Sequence, residues 1–569
     1  MSQIVAEVIV QTLQAAGVKR CYGIVGDTLN RIAHAIEQSD IDFVQMRHEE
    51  AGAFAAGAEA QFTSNLTACA GSCGPGSLHF INGLYEANRN RSPVILIATQ
   101  IVSPDLGFNS VQEVDLKEVY KGCSVFCDMI YTPAQARRKT VAACQAALAK
   151  RGVAVLVVPA DISAANAAHE LPYSVHVSHP IIQPNDDELN RIAEILNSSK
   201  NITIYAGAGC QGAHDEVVNT AALLKAPVAH TSRGKDFVEY DNPYNVGMTG
   251  VIGGPAGFHS VLNCDVLLQL GADFAWSQFY PHKAKIIQID ADPTHIGHRH
   301  PVTIGVTGNI KNTLQALLPR LKQHEDSTFM DKYVAMHDKM RKAAHAEATK
   351  LPKSPIHGTY LTHLINRYAN EDTLFACDDG TALVWALRHI DTNGKRRTFA
   401  SLLQGTMASA MPAAIGLQKC QPQRQVIALC GDGGFTMLLG ELLTIIQEKV
   451  PIKIVIYDNE RLGFVDIEQK AEGLLPLFTT LQNPDFAAMA KVMGFWGRFV
   501  LKPAELEESV KEWLAQPGPA LLHVKVASMQ LIMPPAIMAE AAISMALYTA
   551  KAVLHGKGKD VWEMFKENI

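Results

Sequence analysis

The chain has 569 residues, 48% of them apolar and 19% charged, with a formal net charge of −6. That length exceeds a single core and fits roughly three domains. Mild acidity without a polybasic run argues against nucleic acid as a partner, and no apolar run reaches the roughly 18 residues of a membrane span.

The amino terminus, MSQIVAEVIVQTLQAAGV, reads as an amphipathic helix rather than a signal peptide. Eleven scattered cysteines without a CxxC pair read as buried, reduced thiols of a cytoplasmic protein. Apolar periodicity then predicts helices at 3–16, 28–37, 49–61 and 76–88, alternating with strands at 20–24, 42–45, 66–71 and 93–98. Such alternation means a parallel sheet covered by helices on both faces, here a first domain over 1–182.

The Pro-rich passage HPIIQPNDDE opens a second α/β domain, 183–340. Its strand 201–206 runs into Gly207-Ala208-Gly209-Cys210-Gln211-Gly212, a GxGxxG spelling suited to a pyrophosphate at a helix amino terminus. The acidic residue expected about 20 positions later is missing, which favours a dinucleotide other than a nicotinamide one. Thr249-Gly250-Val251-Ile252 and Gly271-Ala272-Asp273-Phe274 supply bare backbone, and the strand KIIQID ends in Asp290, placed to accept from a ribose hydroxyl. A charged helix and linker lead to a third α/β domain, 355–530.

The sharpest local signal is Gly431-Asp432-Gly433-Gly434 after the strand-like QVIALC, with a helical run Phe435 to Glu448, a second strand Ile452 to Tyr457, and then Asp458-Asn459. One β-α-β crossover thus carries a carboxylate and an amide oxygen to neighbouring strand ends, where open α/β sheets bind ligands. Two such oxygens leave much of an octahedral shell for backbone, water and phosphate, the usual way of holding Mg²⁺. In the first domain, Glu49 follows Arg47-His48 and opens the Ala-rich helix AGAFAAGAEA. By itself it reads as a favourable helix cap, although burial among alanines would raise its pKa and make it a proton donor. Ser72-Cys73-Gly74-Pro75-Gly76 is a strand-to-helix turn open to a ligand, with His79, Asn82 and Gly83 beyond it.

Together RHEEAGAFAAGAEA, GSCGPGSLHFINGLYEA, GTMASAMPAAIG and GDGGFTMLLGELLTIIQEKVPIKIVIYDN resemble the thiamine-diphosphate-dependent decarboxylase and oxidase family. TSRGK at 231–235 and EYDNPYNVGMTGVIG are similar to its flavin-dependent, quinone-reducing pyruvate oxidase branch. The resemblance implies three doubly wound parallel-sheet domains binding thiamine diphosphate, Mg²⁺ and FAD. It implies that Glu49 bonds the cofactor's aminopyrimidine, and that Gly405, Thr406 and Met407 meet the pyrimidine and wedge the cofactor into its bent shape. Asp432, Asn459 and the Arg461 carbonyl become metal ligands, while Gly433, Gly434 and Thr381 line the diphosphate. Phe464, Glu468, Gln112 and His79 fall near the reactive end. Because family members place that cofactor between subunits, a homotetramer is implied. Two departures stand out: Asp458 where relatives commonly carry asparagine, and Val111 where an aromatic is common.

Residues 531–569 form a tail of another character. An Ala- and Met-rich helix, 536–555, precedes VWEMFKENI, whose Val561, Trp562, Phe565 and Ile569 are expected to share an apolar face opposite Glu563, Lys566 and Glu567. Pattern alone is equally compatible with docking on the protein's own surface. The resemblance implies a lipid-binding tail, hence a peripheral position on the inner face of the cell membrane. The implied reaction is oxidative decarboxylation of pyruvate to acetate and CO₂, with electrons passing through flavin to quinone. Rival readings are an acetolactate synthase-like carboligase, a phosphate-dependent pyruvate oxidase, and an inactive membrane-associated scaffold.

Overall fold

A computed structural model describes residues 3–167, 174–178, 180–350, 355–530 and 539–555, together with 558, 561, 562 and 564. Three six-stranded, all-parallel sheets follow one another along the chain. The first contains β1 (Arg20–Ile24), β2 (Asp42–Gln45), β3 (Thr67–Gly71), β4 (Val94–Gln100), β5 (Phe126–Met129) and β6 (Val153–Pro159), in the order β2-β1-β3-β4-β6-β5. Its central strands β3, β4 and β6 are buried on both faces, as continuous apolar runs between helical layers must be.

The middle sheet contains β7 (Ile202–Ala206), β8 (Val228–His230), β9 (Asn245–Met248), β10 (Val266–Leu270), β11 (Lys285–Asp290) and β12 (Ile304–Thr307), in the order β12-β11-β10-β7-β8-β9. In the third, β13 (Leu374–Cys377), β14 (Arg397–Ala400), β15 (Val426–Gly431), β16 (Lys453–Asp458), β17 (Trp496–Val500) and β18 (Ala520–Lys525) repeat the order of the first sheet, β14-β13-β15-β16-β18-β17.

The first and third units share one apolar core. Its seam is the helix Glu49–Thr63 against the helix Ala410–Cys420. Alanine and glycine on both let the backbones approach closely: a Cβ at Gly416 would collide with the Ala55 carbonyl. The helix at Glu49 starts where His48 Nδ1 accepts from the Glu50 amide at 3.2 Å, and it stops at Ser64 in a left-handed conformation.

Two expected helices are broken. The run 76–88 divides into Pro75–Leu78 and Ile81–Arg89, and at the division the Tyr120 hydroxyl donates to the Ser77 carbonyl. The run 435–448 instead starts at Asp432 and divides into Asp432–Met437 and Glu441–Gln447, with Gly440 at the interruption.

The tail helix Ala539–Leu554 lies on the helix Gly463–Ala471. Tyr548, Ala552, Val561 and Met564 bury themselves with Met529, and Lys551 Nζ donates to the Gly473 carbonyl at 2.9 Å. Each large side chain buried there is worth roughly 1.5–3 kcal/mol. Of the four residues expected to share an apolar face in the last segment, Val561 is buried and Trp562 is 70% exposed, consecutive helical residues pointing about 100° apart; Phe565 and Ile569 lie outside the described residues. Among the described residues no helix is long and apolar enough to cross a membrane.

Candidate functional site

In parallel sheets the crevice opens where the strand order reverses, at the carboxyl ends of the two strands concerned. That rule selects the ends of β13 and β15 in the third unit, of β1 and β3 in the first, and of β7 and β10 in the middle one.

In the third unit, β13 delivers Asp378-Asp379-Gly380-Thr381 and β15 delivers Asp432-Gly433-Gly434, while the adjacent β16 delivers Asp458-Asn459. Asp432 is 2% exposed, and its Oδ1 accepts the Gly433 amide at 3.0 Å. A Cβ at Gly433 would press on Leu462 and Met407, and one at Gly463 would lie 2.8 Å from Asn459 Nδ2 and 3.1 Å from Thr381 Cγ2. The fold therefore brings Thr381, Met407, Gly433 and Asn459 to one crevice.

Asn459 Oδ1 accepts from the Arg461 amide at 3.1 Å across a tight turn whose middle residue, Glu460, has φ 53°. Phe464 and Glu468 stand on the next helix, Gly463–Ala471. Glu468 is exposed, and burial, with its charge adding to the effect, pushes the Asp379 carboxyl up.

Asp458 does not point away from this group. Its oxygens accept from Asn483 Nδ2 at 2.9 Å and His523 Nε2 at 2.9 Å, with Lys525 Nζ at 3.4 Å. Burial favours the neutral acid, but these donors outweigh it and hold Asp458 well below the usual carboxylate range. Asp432 is pushed the other way, to about 7, by burial and then by the charge of Asp458. The Asp432 carboxylate, the Asn459 amide oxygen and the backbone carbonyls of the turn after it, with the charge of Asp458 behind them, suit a small divalent cation.

In the first unit, Glu49 is 7% exposed and its Oε2 lies 2.9 Å from His79 Nδ1. His79 stacks on His48 with ring centroids 4.7 Å apart, and its side chain is 47% exposed, so it links the buried carboxyl to the outside. The break after Ser77 in the expected helix leaves His79 at the junction of the two short helices. Gln112, with φ 64°, lies against Gly74, and its Oε1 is 3.2 Å from Cys73 Sγ. Val111 is 88% exposed.

The two units meet at Asn82, whose Nδ2 donates to Glu50 Oε1 at 2.6 Å and to Thr406 Oγ1 at 3.0 Å, beside Gly405 and Met407. They meet again at Glu441, whose carboxylate accepts the Arg47 amide at 3.2 Å and the Thr444 hydroxyl at 2.6 Å. Burial pushes Glu441 up to about 7. Glu441 thus holds the loop that carries Glu49. In the expected single helix Phe435 to Glu448 it was an interior position, and nothing in the sequence marked it.

The middle sheet has the order 3-2-1-4-5-6 of dinucleotide-binding sheets when counted from its own first strand. Gly207 and Gly209 pack so tightly against Gly271 that a Cβ at either would collide with it. Gly250, at φ 101°, faces the Phe274 ring, and Thr249 Oγ1 is buried without a hydrogen-bond partner in the structure. Val251 is exposed, Ala272 is buried, and the Ile252 carbonyl accepts from Arg388 Nε at 3.1 Å.

Two of the expected ligand-facing acids are already engaged within the chain. Asp273 pairs with Arg299 at 2.7 and 3.1 Å, and Asp290 accepts the Asp292 amide at 2.9 Å with His295 at 3.5 Å. Arg233, from the TSRGK stretch, lies within electrostatic reach of Arg91 and Arg151, two arginines missed in the sequence, at the border with the first unit. Burial lowers Arg151 and Arg233 first, and their mutual repulsion adds to it. Such crowding fits a diphosphate-bearing ligand.

Comparison with known proteins agrees with this geometry. Three thiamine pyrophosphate enzyme family models match in sequence: the N-terminal TPP binding domain over residues 4–119, the central domain over 189–317 and the C-terminal TPP binding domain over 378–524. The chain is similar to a putative thiamine pyrophosphate-containing protein, YdaP, of Bacillus subtilis, at 32% identity over 91% of this chain and 90% of that one. It is also similar to the acetolactate synthase isozyme 2 large subunit of Escherichia coli, at 28% over 93% and 96%. Pyruvate oxidase of Lactiplantibacillus plantarum matches at 29% over 81% and 78%. With all three of its sheets matched in order, and a 32% identical relative covered almost end to end, the chain belongs to the thiamine pyrophosphate enzyme family.

Proposed function

We propose that this enzyme decarboxylates pyruvate oxidatively, turning pyruvate, water and a quinone into acetate, CO₂ and the quinol. The observation that carries the reading is the tail helix seated on the helix that bears Phe464 and Glu468, which ties a carboxyl-terminal element to the reactive end. A carboligase has no evident use for that connection. The dinucleotide order of the middle sheet and its arginine cluster support FAD as the electron carrier.

Thiamine diphosphate, when bound, supplies the nucleophilic carbon and the electron sink, and flavin the two-electron acceptor. The chain supplies placement and proton handling. Asp432, Asn459 and the Arg461 carbonyl would hold Mg²⁺, and the backbone at Gly433 and Gly434, where packing leaves no space for a side chain, would line the diphosphate. Glu49 Oε2 holds or releases a proton, and the half-exposed His79 Nδ1 relays it to and from solvent. Leu462, Met407 and Leu481 supply apolar atoms around Gly433. A homotetramer, contact with membrane lipid through the tail and a site of action on the inner face of the cell membrane are parts of the same proposal.

The acetolactate synthase reading is the alternative, favoured by a likeness that spans nearly the whole chain. Anaerobic incubation with pyruvate and a soluble quinone separates the two. Stoichiometric acetate and quinol support the oxidase; acetolactate without quinone reduction refutes it. Deleting residues 547–569 should spare pyruvate-driven flavin bleaching yet remove stimulation by lipid vesicles, and equal stimulation of both proteins would remove the tail from the reading.

A further inference from the structure

Behind Asp432 lies a chain of buried polar groups. Asn483 Nδ2 donates to Asp432 Oδ2 at 2.7 Å and to Asp458 Oδ1 at 2.9 Å, so one amide group ties two carboxylates together. Asp458 Oδ1 also accepts the Glu460 amide at 3.1 Å. Its other oxygen faces His523 Nε2 at 2.9 Å. The His523 ring cannot turn freely: it is 1% exposed, stacks on Phe499 with centroids 4.1 Å apart, and has Phe486 5.1 Å away.

We infer that Asn483, Asp458 and His523 are positioning residues for the metal ligand Asp432, acting through a relay that begins in an aromatic slot of β17 and β18 and ends at the carboxylate. The inference rests on Asp432 being a metal ligand. Its physical content is preorganisation. With Oδ1 on the Gly433 amide and Oδ2 on Asn483, both Asp432 oxygens are oriented before any cation arrives, and the cation meets a carboxylate that has no torsional freedom left to lose. Asp458 supplies charge and an anchor without becoming a ligand, because His523, Lys525, Asn483 and the Glu460 amide occupy it.

The test titrates Mg²⁺ into the full-length apo-protein at saturating thiamine diphosphate, with binding read by protein fluorescence and folding by thermal melting. Asn483→Leu and His523→Leu should each weaken Mg²⁺ by about 10- to 100-fold, the range for outer partners of metal ligands. His523→Gln keeps a donor near Nε2 and should restore affinity to within about threefold of wild type, the sense in which outer partners orient rather than ligate. A role in folding alone would lower the melting temperature of both histidine variants and leave Mg²⁺ affinity unmoved. Unchanged Mg²⁺ affinity in Asn483→Leu and His523→Leu would overturn the relay, and equal loss in His523→Leu and His523→Gln would remove His523 from it. Asp432→Ala is the control that separates the two levels. If it leaves Mg²⁺ binding intact, the ligand assignment itself fails; if it alone abolishes binding, only the relay fails.

Discussion

The first and third units are the same sheet used twice. Both run 2-1-3-4-6-5 in their own strand count, and both open a crevice at the ends of their first and third strands. Yet the first surrounds its crevice with one buried glutamate, a histidine and small residues, whereas the third crowds Asp378, Asp379, Asp432 and Asp458 into its own. Topology decides where a ligand sits, and the residues just past each strand decide what is done there. On the proposed reading, the first unit handles a proton and the third holds a cation. The seam at Ala55 and Gly416 and the bonds from Asn82 and Glu441 keep the halves together.

That division predicts separable failures. Glu49→Gln should cut turnover by about 10²–10⁴-fold, the usual worth of a positioned general acid or base, while thiamine diphosphate and Mg²⁺ still bind. Proton–deuterium exchange at the thiazolium carbon is the measurement, and near-normal exchange would take Glu49 out of proton transfer. Asp432→Ala should do the reverse, weakening cofactor and Mg²⁺ binding by about 100-fold or more with flavin content of the middle unit unchanged. Calorimetric titration reads this directly, and parallel loss of flavin would show that the units are not independent.

The contacts between the units yield smaller effects. Glu441 titrates near 7 in the folded chain against an ordinary 4.5, so its contribution to stability is complete below pH 4.5 and is lost as pH rises through 7. Glu441→Gln removes that loss, and its denaturation midpoint relative to wild type should rise between those pH values by an amount equivalent to about 2–3 kcal/mol. A parallel pair of pH profiles would show that Glu441 is not the group responsible. Gly416→Ala forces the two helices of the seam apart and should cost about 1–3 kcal/mol, seen as a lower melting temperature. An unchanged one would mean that the seam tolerates a methyl.

Much of the molecule was legible before the structure. β1 and β2 fall on 20–24 and 42–45 as expected, because apolar runs between turn residues are local signals. Asp432, Asn459, Gly207 and Gly271 were found because a turn at a strand end needs bare backbone and a few polar residues in order. The break in 76–88 was not legible, since the Tyr120 hydroxyl that bonds the Ser77 carbonyl there lies 43 residues away. Nor were Arg91 and Arg151, which the fold gathers beside Arg233 of the TSRGK stretch. The tail's periodicity showed an amphipathic helix but not which of its residues is covered, and in the fold Val561 is buried while Trp562 is exposed.

By itself, then, the sequence determined the α/β alternation, the three units and the residue types at their strand ends, all of which follow from propensity and spacing along the chain. Only tertiary structure decided that Asp458 turns towards Asn483 and His523, that Glu49 is partnered by His79, and that the tail rests on the helix of Phe464 and Glu468. Hydrogen bonding and burial between residues tens of positions apart depend on how layers pack. Periodicity within one layer carries no record of its neighbour.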